Sequence, residues 1–231
     1  MHTDDPTPSR RWIWGNFLFS QLAWFAAVLG AAHGLPGWGA VPALVVVLWH
    51  LRLAPRPSSE AALIVGAVVL GTAADALVLA QGVLAYTSGQ WAAAAPPLWM
   101  SALWAVFATS LNLSLRWLHA RWWLAALIGA VAGPLAFFSG ARLGAATLLD
   151  PGPALAWLSL EWAIVLPALC LCARRFDGVG PAIPASAAAR AAPSAGHTPM
   201  RAGWPWPRRR PAAKSAACGP SARRSRGRSA R

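Results

Sequence analysis

The sequence predicts an all-α fold: a polytopic membrane helix bundle of about six transmembrane helices, followed by a disordered basic C-terminal tail. Three observations lead there. Of the 231 residues, 57% are hydrophobic and only 12% are charged, against roughly 25% charged in a soluble domain. The apolar residues gather into runs that approach or exceed the ~20 needed to cross a bilayer. The arginines fall on alternate sides of those runs.

The six runs, in order, are 12–32, 38–53, 61–83, 98–115, 122–141 and 154–173. The second is short and begins among Gly and Pro. No run alternates apolar and polar residues over ten positions, so a membrane barrel is not expected. Backbone polar groups in hydrocarbon must pair within the segment, which leaves helices. Seven of the fifteen tryptophans, Trp12, Trp14, Trp38, Trp91, Trp117, Trp122 and Trp123, fall at or near run ends. Amphipathic rings at headgroup depth form such a belt. The first run is longer than a signal-peptide core and carries Asn16 and Gln21, so it is read as a retained span.

Orientation follows from the arginines. Arg10 and Arg11 precede the first run, Arg52 and Arg56 follow the second, Arg116 and Arg121 follow the fourth, and Arg174 and Arg175 follow the sixth. The intervening loops hold only Arg142. Positive residues stay cytoplasmic, so residues 1–11 and the C-terminus are expected inside, in a bacterial inner membrane.

The net charge of +13 belongs to the tail. Residues 1–173 hold seven arginines and six acids, whereas residues 174–231 hold twelve arginines, one lysine and one acid. That tail is rich in Ala, Pro, Arg and Ser, and it lacks the apolar periodicity of a core, so disorder is expected. Its charge suits an anionic leaflet, and charge alone is a poor argument for nucleic acid. Cys170, Cys172 and Cys218 show neither metal spacing nor an even count, and are read as reduced thiols.

Candidate chemistry lies in the polar residues at depth. An acid near the bilayer centre costs roughly 2.5–3.5 kcal/mol on insertion scales. Asp75 and Glu161 each fall about 4 Å to the outer side of their span centres, at a rise of about 1.5 Å per residue. Two acids at one depth can share a proton, bind a cation or hold a donor. They are the candidate catalytic or ionisable pair, the plainer alternative being two unrelated acids hydrogen-bonded locally. Asn16 and Asn112 form a second level, about 8–9 Å to the inner side, with Gln21 between. These three are candidate ligand contacts or interhelical glue. Arg142 is a candidate anion contact or outer gate, or a snorkelling residue. His50 and His33 each look solitary, and no haem ligand pair, phosphate loop, HExxH or Gly-x-Ser-x-Gly is present. No cofactor and no metal is expected.

Small residues mark faces where helices approach closely. Ala126, Gly129, Gly133, Ala136, Gly140 and Gly144 form one such stripe, and Gly129, Gly133 and Gly140 could dock a membrane-protein partner. Asp75 shares its face with Gly71 and Gly82.

Residues from about Trp14 to Ala173 resemble an uncharacterised family of small bacterial inner-membrane proteins, known only as a domain of unknown function. The resemblance rests on Asn16-Phe17 with Gln21 and Trp24-Phe25, on Leu98-Trp99 through Phe107 to Asn112 and Arg116-Trp117-Leu118, and on Gly133-Pro134-Leu135 with Gly140 to Ala145. Where the family often has a histidine after the middle asparagine, this chain has Leu113. The resemblance implies an inner-membrane bundle and no particular activity.

The functional expectation is a small membrane protein that binds a lipid or another apolar ligand, or passes protons, through a polar interior. The alternatives are a membrane-embedded enzyme acting on lipid, with an acid as general base, and a non-catalytic assembly partner.

Overall fold

The computed structural model describes residues 8–92 and 94–180. The segment 181–231, with Cys218 and most of the expected tail, lies outside the described residues, as do residues 1–7. Six helices follow one another: α1 Arg10–Ala32, α2 Ala40–Leu53, α3 Pro57–Ala80, α4 Leu98–Leu111, α5 Trp122–Arg142 and α6 Pro151–Arg175. Five are long and apolar enough to cross a membrane, counting the 3₁₀ turn Pro36–Gly39 with α2. The bundle wears its large apolar side chains outside. Phe17, Leu22, Leu44, Val65, Val69, Leu127, Val131, Leu160 and Ile164 are all exposed, and in water so much bare apolar surface would drive association.

Local chemistry sets the helix ends. Ser9 caps α1, its hydroxyl accepting from the Trp12 N–H at 3.2 Å. Prolines at the first helical position open α3 and α6, where the missing N–H costs nothing. Helices α1, α3 and α5 each run into a glycine of positive φ, Gly34, Gly82 and Gly144, a conformation that only glycine adopts without strain.

Several elements depart from the sequence expectation, among them the third run, expected over 61–83 and helical over Pro57–Ala80. A two-stranded antiparallel sheet, β1 Leu84–Tyr86 with β2 Ala146–Leu148, ties the α3–α4 and α5–α6 connections together. Three-residue strands are too short to leave a periodic signal. The fourth run, expected to Leu115, is helical only to Leu111. Asn112 ends it, because its side chain and the turn after it serve α3 and the chain beyond α6 instead. The Ser110 carbonyl then accepts from both Leu113 and Leu115 N–H groups. At about 1.5 Å per residue this helix is only about 21 Å long.

Helix α4 is the axis of the bundle and packs on α1, α2, α3 and α6. Helix α5 is held mainly by α6. Helices α1 and α5 therefore flank α4 without extensive contact with each other. The end carrying Arg52, Arg56, Arg116 and Arg121 is called the arginine end here, and the opposite one the sheet end.

The last span also runs past its expected limit at Ala173. Arg174 and Arg175 complete α6, and residues 176–180 fold back on the arginine end, with Val179 buried. The Arg56 N–H donates to the Gly178 carbonyl at 3.0 Å. The Arg116 guanidinium pairs with the Asp177 carboxylate. These polar groups explain why the chain stays on the bundle after its apolar run has ended.

Candidate functional site

Helix α3 carries an acid near each end of one buried face: Glu60, then Leu63, Ile64, Ala67, Gly71 and Ala74, then Asp75. Fifteen residues separate the two acids, about 22 Å along the axis. Each has built a different surrounding.

At the sheet end of that face, Asp75 meets Glu161 of α6. The two buried carboxyls are neighbours. The Trp104 indole N–H donates to Asp75 Oδ2 at 2.7 Å. Asp75 Oδ1 and both Glu161 oxygens are buried without a hydrogen-bond partner. The two acids expected at one depth thus lie near each other.

The glycines make room for the tryptophans around this pair. Trp104 lies on Gly71 of α3, and Trp162 lies on Gly133 of α5. A Cβ at either glycine would collide with the ring. The two indoles stack with centroids 4.8 Å apart and planes 20° apart, and the Phe107 edge meets Trp162 at 5.4 Å. Gly129 lets α5 approach the Trp162 backbone. Gly129 and Gly133 are thus covered by α6 of the same chain, while Gly140 faces open space.

That open space is a cavity of about 360 Å³ above α4, between α1 and α5. Trp24, Tyr86, Trp99, Phe107, Gly140 and Trp162 are among its walls. Tyr86 is held edge-on against Trp99 at 5.7 Å. The Tyr86 hydroxyl and the Trp162 indole N–H are buried without a hydrogen-bond partner. A second hollow of about 480 Å³ shares Gln21, Trp24, Leu103, Phe107 and Ala136 with the first, so the two form one lateral groove. Gln21 is the one expected polar residue in its wall. Asp75 and Glu161 lie one side-chain layer behind, beyond Trp104 and Trp162.

The arginine end holds a cluster that sequence reasoning missed. His50 Nε2 and Glu60 Oε2 are 2.8 Å apart, with both side chains fully buried. Glu60 Oε1 accepts from Asn112 Nδ2 and from the Gly178 N–H, each at 2.7 Å. The Trp12 ring leans on His50 at 5.7 Å. His50 looked solitary because its partner is in the next helix. One signal was available: His50 and Glu60 sit at mirrored distances from the Ala54–Arg56 turn, so a tight helical hairpin brings them face to face.

The other candidates disperse. Asn16 and Asn112 do not form one site. Asn16 donates to Thr109 Oγ1 at 2.8 Å and accepts from the Ser110 hydroxyl at 3.1 Å, which fastens α1 to α4, while Asn112 serves Glu60. Arg142 is exposed at the sheet end, and neither the Arg116–Asp177 ion pair nor the His50–Glu60 contact involves it. Among the described residues no cluster of three His, Cys, Asp or Glu could hold a metal ion.

Fold and groove together define a class: a polytopic helical membrane bundle, with a buried acid pair behind an aromatic lateral groove. The chain belongs to the DUF2878 family, described as a protein of unknown function, whose model matches residues 13–168. The search of curated proteins and the search of solved structures each returned no match.

Proposed function

We propose that this protein is a multi-pass protein of a bacterial inner membrane, with both termini cytoplasmic, and that it binds a membrane amphiphile, a lipid or similar apolar ligand, in the groove between α1 and α5. The observation that carries the reading is the groove itself. Its first hollow is walled almost wholly by apolar and aromatic side chains, the second adds Ser20, Ser110, Ser114 and Ser139, and buried hydrogen-bonding groups with no partner stand at Tyr86 and Trp162. Small-molecule sites have this composition, a largely apolar wall with a few convergent polar groups. The groove opens sideways, where the surrounding solvent is lipid. Proton passage is the weaker reading, because the residues between Glu60 and Asp75 on the buried face of α3 are apolar.

Mass spectrometry of the purified protein tests this. The wild type should carry an apolar ligand. Gly140→Phe, which fills open space in the cavity wall, should lose it while melting as the wild type does. Equal ligand content in both, or none in the wild type, overturns the reading. Reporter fusions near Arg56 and Arg121 should report the cytoplasm, and those near Gly89 and Pro151 the opposite side. The reverse pattern would refute the orientation.

A further inference from the structure

We propose that the groove selects a lipophilic cation, with the Asp75–Glu161 pair supplying the counter-charge from behind the Trp104–Trp162 wall. This rests on the groove being a ligand site and adds the charge of its ligand.

The first argument is the charge balance. Helix α3 contains no Lys or Arg, and the basic residues of α6, Arg174 and Arg175, are thirteen and fourteen residues from Glu161, about 20 Å along the helix. Arg142 makes no ion pair among the described residues. An acid pair in hydrocarbon with no protein cation beside it holds protons or attracts a positive ligand, since an uncompensated charge there is costly. Three of its four oxygens have no hydrogen-bond partner.

The second argument is the wall. Aromatic faces carry negative quadrupole density and attract cations. Tyr86, Trp99, Phe107 and Trp162 surround the cavity. The Tyr86 hydroxyl is buried without a partner, and Tyr86 lies in the cavity wall. A cation in the cavity gains from these rings directly. It gains again from carboxylate charge across a layer of low dielectric, where Coulomb attraction is little screened. An anion of equal size meets repulsion from both.

The test uses two nearly isosteric ions of opposite charge and a neutral analogue, tetraphenylphosphonium, tetraphenylborate and triphenylphosphine oxide. Binding to the purified full-length protein in detergent is measured after subtracting uptake by empty micelles. The wild type should bind tetraphenylphosphonium at least about tenfold more tightly than tetraphenylborate. The double variant Asp75→Asn/Glu161→Gln should lose that preference and keep the neutral compound. A wild type that binds the anion or the neutral compound as tightly as the cation overturns the inference, and leaves the groove to stand on the Gly140→Phe ligand content. A preference that survives in the folded double variant overturns it too, and so does no binding of any of the three compounds. If the double variant does not fold, the wild-type preference decides.

Discussion

The two ends of α3 solve the same problem in opposite ways. Both place a carboxyl where water does not reach. At the arginine end every oxygen of Glu60 is used, by His50, Asn112 and the Gly178 N–H. At the other end Asp75 has one outside donor, Trp104, and Glu161 has none. Buried polar groups are nearly always hydrogen-bonded. A carboxyl with both oxygens bonded therefore reads as a fastening, although His50 Nδ1 and Asn112 Oδ1 beside it have no partner, and a pair with three bare oxygens reads as a place kept for something else. The surroundings agree. The Glu60 cluster joins α2, α3, α4 and the end of the chain, and it is sealed. The Asp75 pair adjoins a groove.

The largest expected effect breaks the fastening. Glu60→Ala leaves His50 and Asn112 buried without their partner, at a cost of about 3–5 kcal/mol. It should lower the detergent melting temperature more than any other single change named here. A melt equal to the wild type would show that the cluster holds nothing together.

Next comes the seat of Trp162. Gly133→Leu drives a side chain into the indole, and overpacking of this kind costs about 1–3 kcal/mol or more. Val131→Leu, on the exposed face, should be near neutral. Equal melting of the two variants would contradict the placement of the stripe.

A smaller effect separates two truncations. Ending the chain after Asp177 removes the Gly178 donor to Glu60 and the burial of Val179, worth about 1–3 kcal/mol. Ending it after Gly180 should leave melting unchanged. If both truncations melt as the full chain does, the returning segment is not part of the fastening.

A small stability effect is also expected from Asp75→Asn. An amide replaces a carboxyl of the same shape and still accepts from Trp104, so melting should change by less than about 1 kcal/mol. A collapse of the fold would move Asp75 into the fastening class and erase the contrast between the two ends.

The spans were legible because hydrocarbon thickness imposes long apolar runs, and nothing else in the chain imitates them. The Asp75–Glu161 meeting was legible because an acid in mid-span has few acceptable surroundings. Matched depth and the glycine at position 71 narrowed them further. His50 and Glu60 escaped because they sit at helix ends, where polar residues are ordinary and depth carries no signal. The early end of α4 escaped because Ser110 and Asn112 are compatible with a continuing helix, and only Glu60 and Phe176 give Asn112 a reason to stop it. The groove escaped because a void is a property of two helices that do not touch, and no single run records it.

The contrast between the two ends is tested most directly by measuring ligand content and melting temperature on the same preparations of two variants. For Asp75→Asn/Glu161→Gln the account predicts changed ligand content with nearly unchanged melting. For Glu60→Gln it predicts lowered melting with ligand content intact. The opposite assignment, ligand lost with Glu60 and stability lost with the Asp75 pair, would contradict it.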